Sequence, residues 1–114
     1  MNFLKMLFGN VPSMSATEAQ DALKGAEAPF ILDVREDDEY RAGHISGAKL
    51  IPLGQLSAQM DKLPKDRSIL CVCASGSRSS MAARQLSAEG YQVVNLQGGM
   101  SGWRMAGLPI KKGK

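Results

Sequence analysis

Between Ser68 and Gly90 a short apolar run meets a loop of small residues and then a helix-forming stretch, with one cysteine at the junction. Ser68-Ile69-Leu70-Cys71-Val72 has the pattern of a strand buried on both faces. Cys73-Ala74-Ser75-Gly76-Ser77-Arg78-Ser79 forms the loop. Ser80 to Glu89 carries helix formers with an apolar stripe and stops at Gly90. A strand, a tight loop and a helix in that order aim the loop N–H groups and the helix N-terminus at whatever Cys73 holds. The chemistry is expected there.

A chain of 114 residues has the length of one compact domain with one core. Its formal charge of +3 equals the three lysines of Lys111-Lys112-Gly113-Lys114, so the body is near neutral and a nucleic-acid platform is a poor reading. Within the body, Glu36-Asp37-Asp38-Glu39 is one acidic cluster, whereas Cys73 to Ile110 holds Arg78, Arg84 and Arg104 against Glu89 alone. That asymmetry favours a small anion near Cys73. Cys71 and Cys73 share one face of an extended chain but sit about 6 to 7 Å apart along it, too awkward for a disulfide. Free thiols in a reducing, cytoplasmic compartment fit better. Residues 1–10 are read as a lead-in, 11–110 as the domain and 111–114 as a solvated, frayed basic tail. The apolar run Met1 to Gly9 is too short for a membrane span, and with a single lysine it reads as a flexible lead-in rather than a membrane-contacting segment.

In chain order, Val11 to Met14 is expected as an edge strand, because Pro12 is confined to such a place. Ser15-Ala16-Thr17-Glu18 has capping-box spacing and opens a helix over Ala16 to Lys24. Phe30 to Val34 is a buried strand that runs into Arg35 and the acidic cluster. One or two helical turns follow from Glu36 to Ala42, then a short strand from Lys49 to Pro52. Leu53, Leu56, Met60 and Leu63 recur at helical spacing and predict a helix over Gly54 to Leu63. Gln92 to Leu96 is the last strand, Gly98-Gly99 a flexible turn, and a short helix carries Met100 and Trp103 to Gly107. This alternation implies an α/β three-layer sandwich, with a mostly parallel sheet of about five strands and helices on both faces.

From Met14 to Pro109 the sequence resembles the rhodanese-like domain family, in its small single-domain sulfurtransferase form. The resemblance rests on Leu32-Asp33-Val34-Arg35-Glu36, Glu39-Tyr40, Gly43-His44-Ile45-Ser46-Gly47-Ala48 and Ile51-Pro52-Leu53. It continues through the cysteine loop ending in Gly76-Ser77-Arg78-Ser79, and closes with Gly98-Gly99-Met100 and Trp103. It implies that Cys73 becomes a persulfide, taking sulfane sulfur from a donor and passing it to a thiol or cyanide, with no cofactor and no metal. Many thiosulfate-using relatives carry a second basic residue in the loop, where this chain has Ala74, Ser75 and Ser77. The donor therefore stays open among thiosulfate, polysulfide and a protein persulfide. A regulatory or sulfur-carrier module acting with a protein partner is the alternative.

The residues agree with that chemistry. Only a thiolate attacks sulfur well, and an unassisted thiol is mostly protonated at neutral pH. Converging N–H groups from Ala74 to Ser79, a helix N-terminus and Arg78 all favour the charged form, and would also hold the outer sulfur or an incoming anion, with Arg78 expected both as anion anchor and as loop brace. Gly76 lets the loop curl without a Cβ in the way. Sulfur transfer needs no histidine or carboxylate as general base, which suits a chain with 1 histidine. Four residues separate Cys73 from Arg78; cysteine phosphatases have one more, and a phosphoryl group needs that wider cradle. Cys71 reads as core filling rather than a resolving thiol, and His44 as a hydrogen-bonding structural residue. Asp33 and Arg35 either border the site or form a bracing ion pair, since charges at a strand end serve both purposes.

Overall fold

The computed structural model describes residues 11–114; the expectation of a lead-in over 1–10 lies outside them. The strands are β1 (Ser13–Met14), β2 (Phe30–Asp33), β3 (Lys49–Leu50), β4 (Ile69–Val72) and β5 (Val93–Leu96). The α-helices are α1 (Ala16–Leu23), α2 (Asp37–Ala42), α3 (Leu56–Gln59), α4 (Ser77–Ala88) and α5 (Gly99–Met105). The five strands form one sheet in the order β1-β5-β4-β2-β3, and every pairing is parallel.

β4 lies at the centre of that sheet, and all four of its residues are buried, as its uninterrupted apolar run requires. Alternation along the strands divides the core in two. Leu32, Ile69, Cys71 and Val93 pack with Leu56 of α3 and Ala82, Ala83 and Leu86 of α4. Ile31, Leu70, Val72, Val94 and Leu96 pack with Ala16 and Ala19 of α1 and Met100 and Trp103 of α5. The helices thus cover both faces, and the C-terminal end of the central strand opens directly into the cysteine loop.

The capping box forms as expected: Glu18 N–H donates to Ser15 Oγ at 3.2 Å and Ser15 N–H to Glu18 Oε1 at 2.8 Å. Three expectations need correction. The segment expected as one helix over 54–63 is a 3₁₀ turn (Leu53–Gln55), the short α3 and a second 3₁₀ turn (Met60–Lys62). Leu63 N–H reaches back only three residues to Met60 O, a carbonyl that the Tyr91 hydroxyl also takes at 2.6 Å. The basic tail is not frayed throughout, because Lys111 pairs with His44 in an antiparallel bridge and Gly113 N–H donates to Arg41 O at 2.8 Å. Gly98-Gly99 is no flexible turn; it is wedged against the cysteine loop, as described next.

Candidate active site

Cys73 follows the last residue of β4 and is 1 % exposed, so its sulfur lies at the floor of the loop. Gly76 N–H donates to Cys73 Sγ at 3.1 Å, and the Ser79 hydroxyl stands 3.3 Å from the same sulfur. Burial pushes the thiol pKa up. The Ser79 hydroxyl and the N–H groups of Ser79, Gly76 and Ser75 outweigh it, and the net direction is down. Cys71, two residues back in the middle of β4, has no such donors. Burial, with a smaller contribution from Cys73, pushes its thiol up to about 12, and it packs among apolar side chains.

The peptide planes explain why the N–H groups converge. A carbonyl and the N–H that follows it point in opposite directions across a planar trans peptide, so fixing the carbonyl outward turns the N–H inward. The first turn of α5 does this: Met100 N–H donates to Cys73 O at 2.8 Å and Ser101 N–H to Ala74 O at 3.0 Å. With Ala74 O held outward, Ser75 N–H faces the sulfur. Asn95 of β5 completes the frame, donating from Nδ2 to Gly76 O at 3.1 Å and accepting through Oδ1 from the Ser79 hydroxyl at 2.6 Å, so that the one hydroxyl proton is shared between Asn95 and the sulfur.

Two glycines make this packing feasible. Gly76 caps α4 with φ +103, a left-handed conformation that closes the loop, and α4 begins at Ser77, three residues earlier than its apolar stripe implies. At Gly99 a Cβ would collide with Cys73 O and lie 2.6 Å from Ala74 O. Helix and loop are in backbone contact there, and nothing larger than glycine fits.

Arg78 is seen in the bracing half of its expected role. Its Nη1 and Nη2 donate to the two oxygens of Glu39 at 2.7 and 2.8 Å, so the guanidinium is held in a two-point pair at the rim. The Arg78 guanidinium holds the Glu39 carboxyl down to about 2, and Glu39 in turn raises Arg78. Of the remaining loop residues, Ser75 and Ser77 are exposed, Ala74 and Gly76 half-buried, and Ser79 buried.

Asp33, the last residue of β2, and Arg35 form an ion pair. Both Asp33 oxygens accept from Arg35, through Nε at 2.9 Å and Nη2 at 2.8 Å, and the pair is almost wholly buried. Arg35 also donates to the backbone carbonyls of Glu39 at 3.2 Å and Gly43 at 2.8 Å. Of the two roles considered, the geometry is that of a brace: it holds α2 in place and α2 holds Arg78. His44 also has a structural setting, with Nδ1 2.8 Å from Tyr40 O and its ring stacked 3.7 Å from the Tyr40 ring.

Sequence reasoning missed Asn95, Gly99 and Glu39 as parts of the site. Asn95 had a signal, being the one polar residue in Val93-Val94-Asn95-Leu96, a strand buried at its other positions. Gly99 had another, as a doubled glycine after a strand adjacent to the cysteine strand.

The sequence and the fold both have counterparts among known proteins. The Rhodanese-like domain model of protein families matches residues 15–106. A sulfurtransferase of Allochromatium vinosum is 34 % identical over 101 residues, covering 88 % of this chain and 94 % of that protein. YrkF of Bacillus subtilis, a proposed sulfur carrier protein, is 37 % identical over 95 residues; the match covers 82 % of this chain and about half, 51 %, of that one. The crystal structure of a rhodanese-related protein from Thermoplasma volcanium superposes with a TM-score of 0.83 at 32 % identity, covering 88 % of this chain and 97 % of that one. With the family's sequence model spanning nearly all of the sheet and helices, the chain belongs to the rhodanese-like domain family, whose members resembling it include proteins named as sulfurtransferases.

Proposed function

We propose that the protein is a cytoplasmic sulfurtransferase in which Cys73 alternates between thiolate and persulfide. The observation that carries this reading is the sulfur's surroundings: one buried Sγ facing the N–H groups of Ser75, Gly76 and Ser79 and the Ser79 hydroxyl. Among the described residues no histidine or carboxylate hydrogen-bonds it. Such a cradle stabilises negative charge on sulfur without supplying or removing protons.

With thiosulfate as donor, the Cys73 thiolate attacks the outer sulfur, the S–S bond of the donor breaks and sulfite leaves with the bonding pair. Cys73 is left as a persulfide anion. A thiolate or cyanide acceptor then attacks the outer sulfur of that persulfide, and the Cys73 thiolate is released. Charge and sulfur balance in both steps, and no cofactor or metal is called for. Ala74, Ser75, Gly76, Ser77 and Ser79 form the cradle wall, while Arg78 holds the loop through Glu39.

A second reading, a sulfur-carrier module that serves a protein partner, is favoured by the likeness to YrkF. The two differ in where turnover is fast: an enzyme turns over with small acceptors, whereas a carrier keeps its sulfur until a partner binds. Incubation with thiosulfate or polysulfide followed by intact mass measurement should show one added sulfur, lost in Cys73→Ser. No adduct with any sulfane donor would refute persulfide chemistry at this cysteine.

A further inference from the structure

The cradle of Cys73 has an arginine at its rim, but that arginine is already paired. Glu39 takes both outer nitrogens of Arg78 at 2.7 and 2.8 Å. Glu39 is itself fixed from two sides: it caps α2 by accepting Glu36 N–H at 3.0 Å, and its backbone carbonyl is held by Arg35. Glu36 adds a further negative field at Arg78. The net charge around the guanidinium is therefore neutral to negative.

For a dianion approaching a thiolate this matters. Backbone N–H groups offset the charge on the Cys73 sulfur itself, but Arg78, the cation at the rim that would meet the further negative charges of thiosulfate, is already neutralised by Glu39. A hydropersulfide with an uncharged R group brings one negative charge at most. Resting on the sulfurtransfer reading above, we infer that Glu39 is a specificity-determining residue which, by holding Arg78, selects hydropersulfides over dianionic donors at Cys73. In the favoured reaction the Cys73 thiolate attacks the terminal sulfur of R–S–SH. The S–S bond of the donor breaks, the thiolate R–S⁻ leaves, and Cys73 keeps the terminal sulfur with its proton. Glu39 touches no reacting atom; it acts through Arg78.

The test compares thiosulfate with 2-hydroxyethyl persulfide, whose R group is uncharged, as donors to the full chain, reading the rate of single-sulfur addition to Cys73 by intact mass. In the unmodified protein, 2-hydroxyethyl persulfide should react faster, and the thiosulfate rate should rise or hold as sodium chloride is added, because salt screens a net repulsion. In Glu39→Gln, one carboxylate charge is removed and Arg78 is freed to meet the dianion. The thiosulfate rate constant should then rise about fivefold to tenfold, the scale of one charge-assisted hydrogen bond at a partly exposed site. The 2-hydroxyethyl persulfide rate should not rise with it. Loss of loop bracing alone slows both donors and raises neither, so a gain with thiosulfate separates selectivity from structural damage.

A thiosulfate rate that falls with salt in the unmodified protein, or one that Glu39→Gln leaves level or lowers, would overturn the assignment. The salt series needs no variant, so it decides the matter even if Glu39→Gln folds poorly. Failure of both donors to modify Cys73 would instead refute the sulfurtransfer reading on which the assignment rests.

Discussion

Replacing Gly99 by alanine tests whether the backbone contact between α5 and the cysteine loop builds the site. The new Cβ would collide with Cys73 O and lie 2.6 Å from Ala74 O and 2.7 Å from Ala74 C. These are backbone atoms and cannot rotate aside, so loop and helix must part. Three costs arise. Residue 99 has φ +56, where an L side chain costs about 1 kcal/mol. Overpacking against backbone costs about 1–3 kcal/mol. The bonds from Met100 and Ser101 N–H, now 2.8 and 3.0 Å, lengthen and lose part of their roughly 1 kcal/mol each. The total of roughly 4 kcal/mol is a large share of the roughly 5–15 kcal/mol that holds a domain folded. Thermal unfolding followed by circular dichroism should show Tm lowered by more than about 12 °C. Because Ala74 O no longer turns Ser75 N–H toward the sulfur, alkylation of Cys73 by iodoacetamide at neutral pH should slow as well. A Gly99→Ala protein that melts within about 3 °C of the parent and alkylates within about twofold of its rate would refute the claim that α5 sets the loop's N–H directions.

Ser79→Ala removes the largest of the contributions that lower the Cys73 thiol. A hydrogen bond to a charged group is worth about 1.5 kcal/mol, so the pH profile of Cys73 alkylation should move to higher pH by about one unit. The sign follows from the charge form: the hydroxyl stabilises thiolate, and its loss leaves more thiol at a given pH. With the Cys71 thiol pushed up to about 12 and the Cys73 thiol lowered, native protein treated with iodoacetamide near neutral pH should take one adduct, at Cys73. Unfolded protein should take two, and a peptide map locates them; native labelling at Cys71 would contradict the lack of donors facing its sulfur.

The elements that apolar periodicity can report were legible in the sequence: β2, β4, β5 and α1 appear within a residue or two of their expected bounds. Where hydrogen-bond reach rather than the buried face decides the structure, the pattern was mute. Leu53, Leu56, Met60 and Leu63 face the core whether the backbone closes over three residues or four, so one helix could not be told from two 3₁₀ turns around α3. The cysteine, its glycine and its serine were legible from local chemistry. The partners that set their geometry lie at a distance in sequence: Asn95 and Gly99 come from the next strand and its helix, and Glu39 from α2, 39 positions before Arg78. Only the parallel strand order, with β4 between β5 and β2, brings those three segments to one end of the sheet. No local pattern encodes that Arg78 is already paired.

The two strands at the sheet margins are each two residues long, Ser13–Met14 and Lys49–Leu50, while the three inner strands have four. Pro12 stands just before one and Pro52 just after the other, and Lys49 points an exposed charge outward from the second. Neighbouring copies that approach edge to edge find only a short row of backbone groups to pair with, interrupted by residues that cannot donate. Strand addition between molecules is thereby discouraged, and a sheet that is apolar on both faces is kept from serving as a template for aggregation.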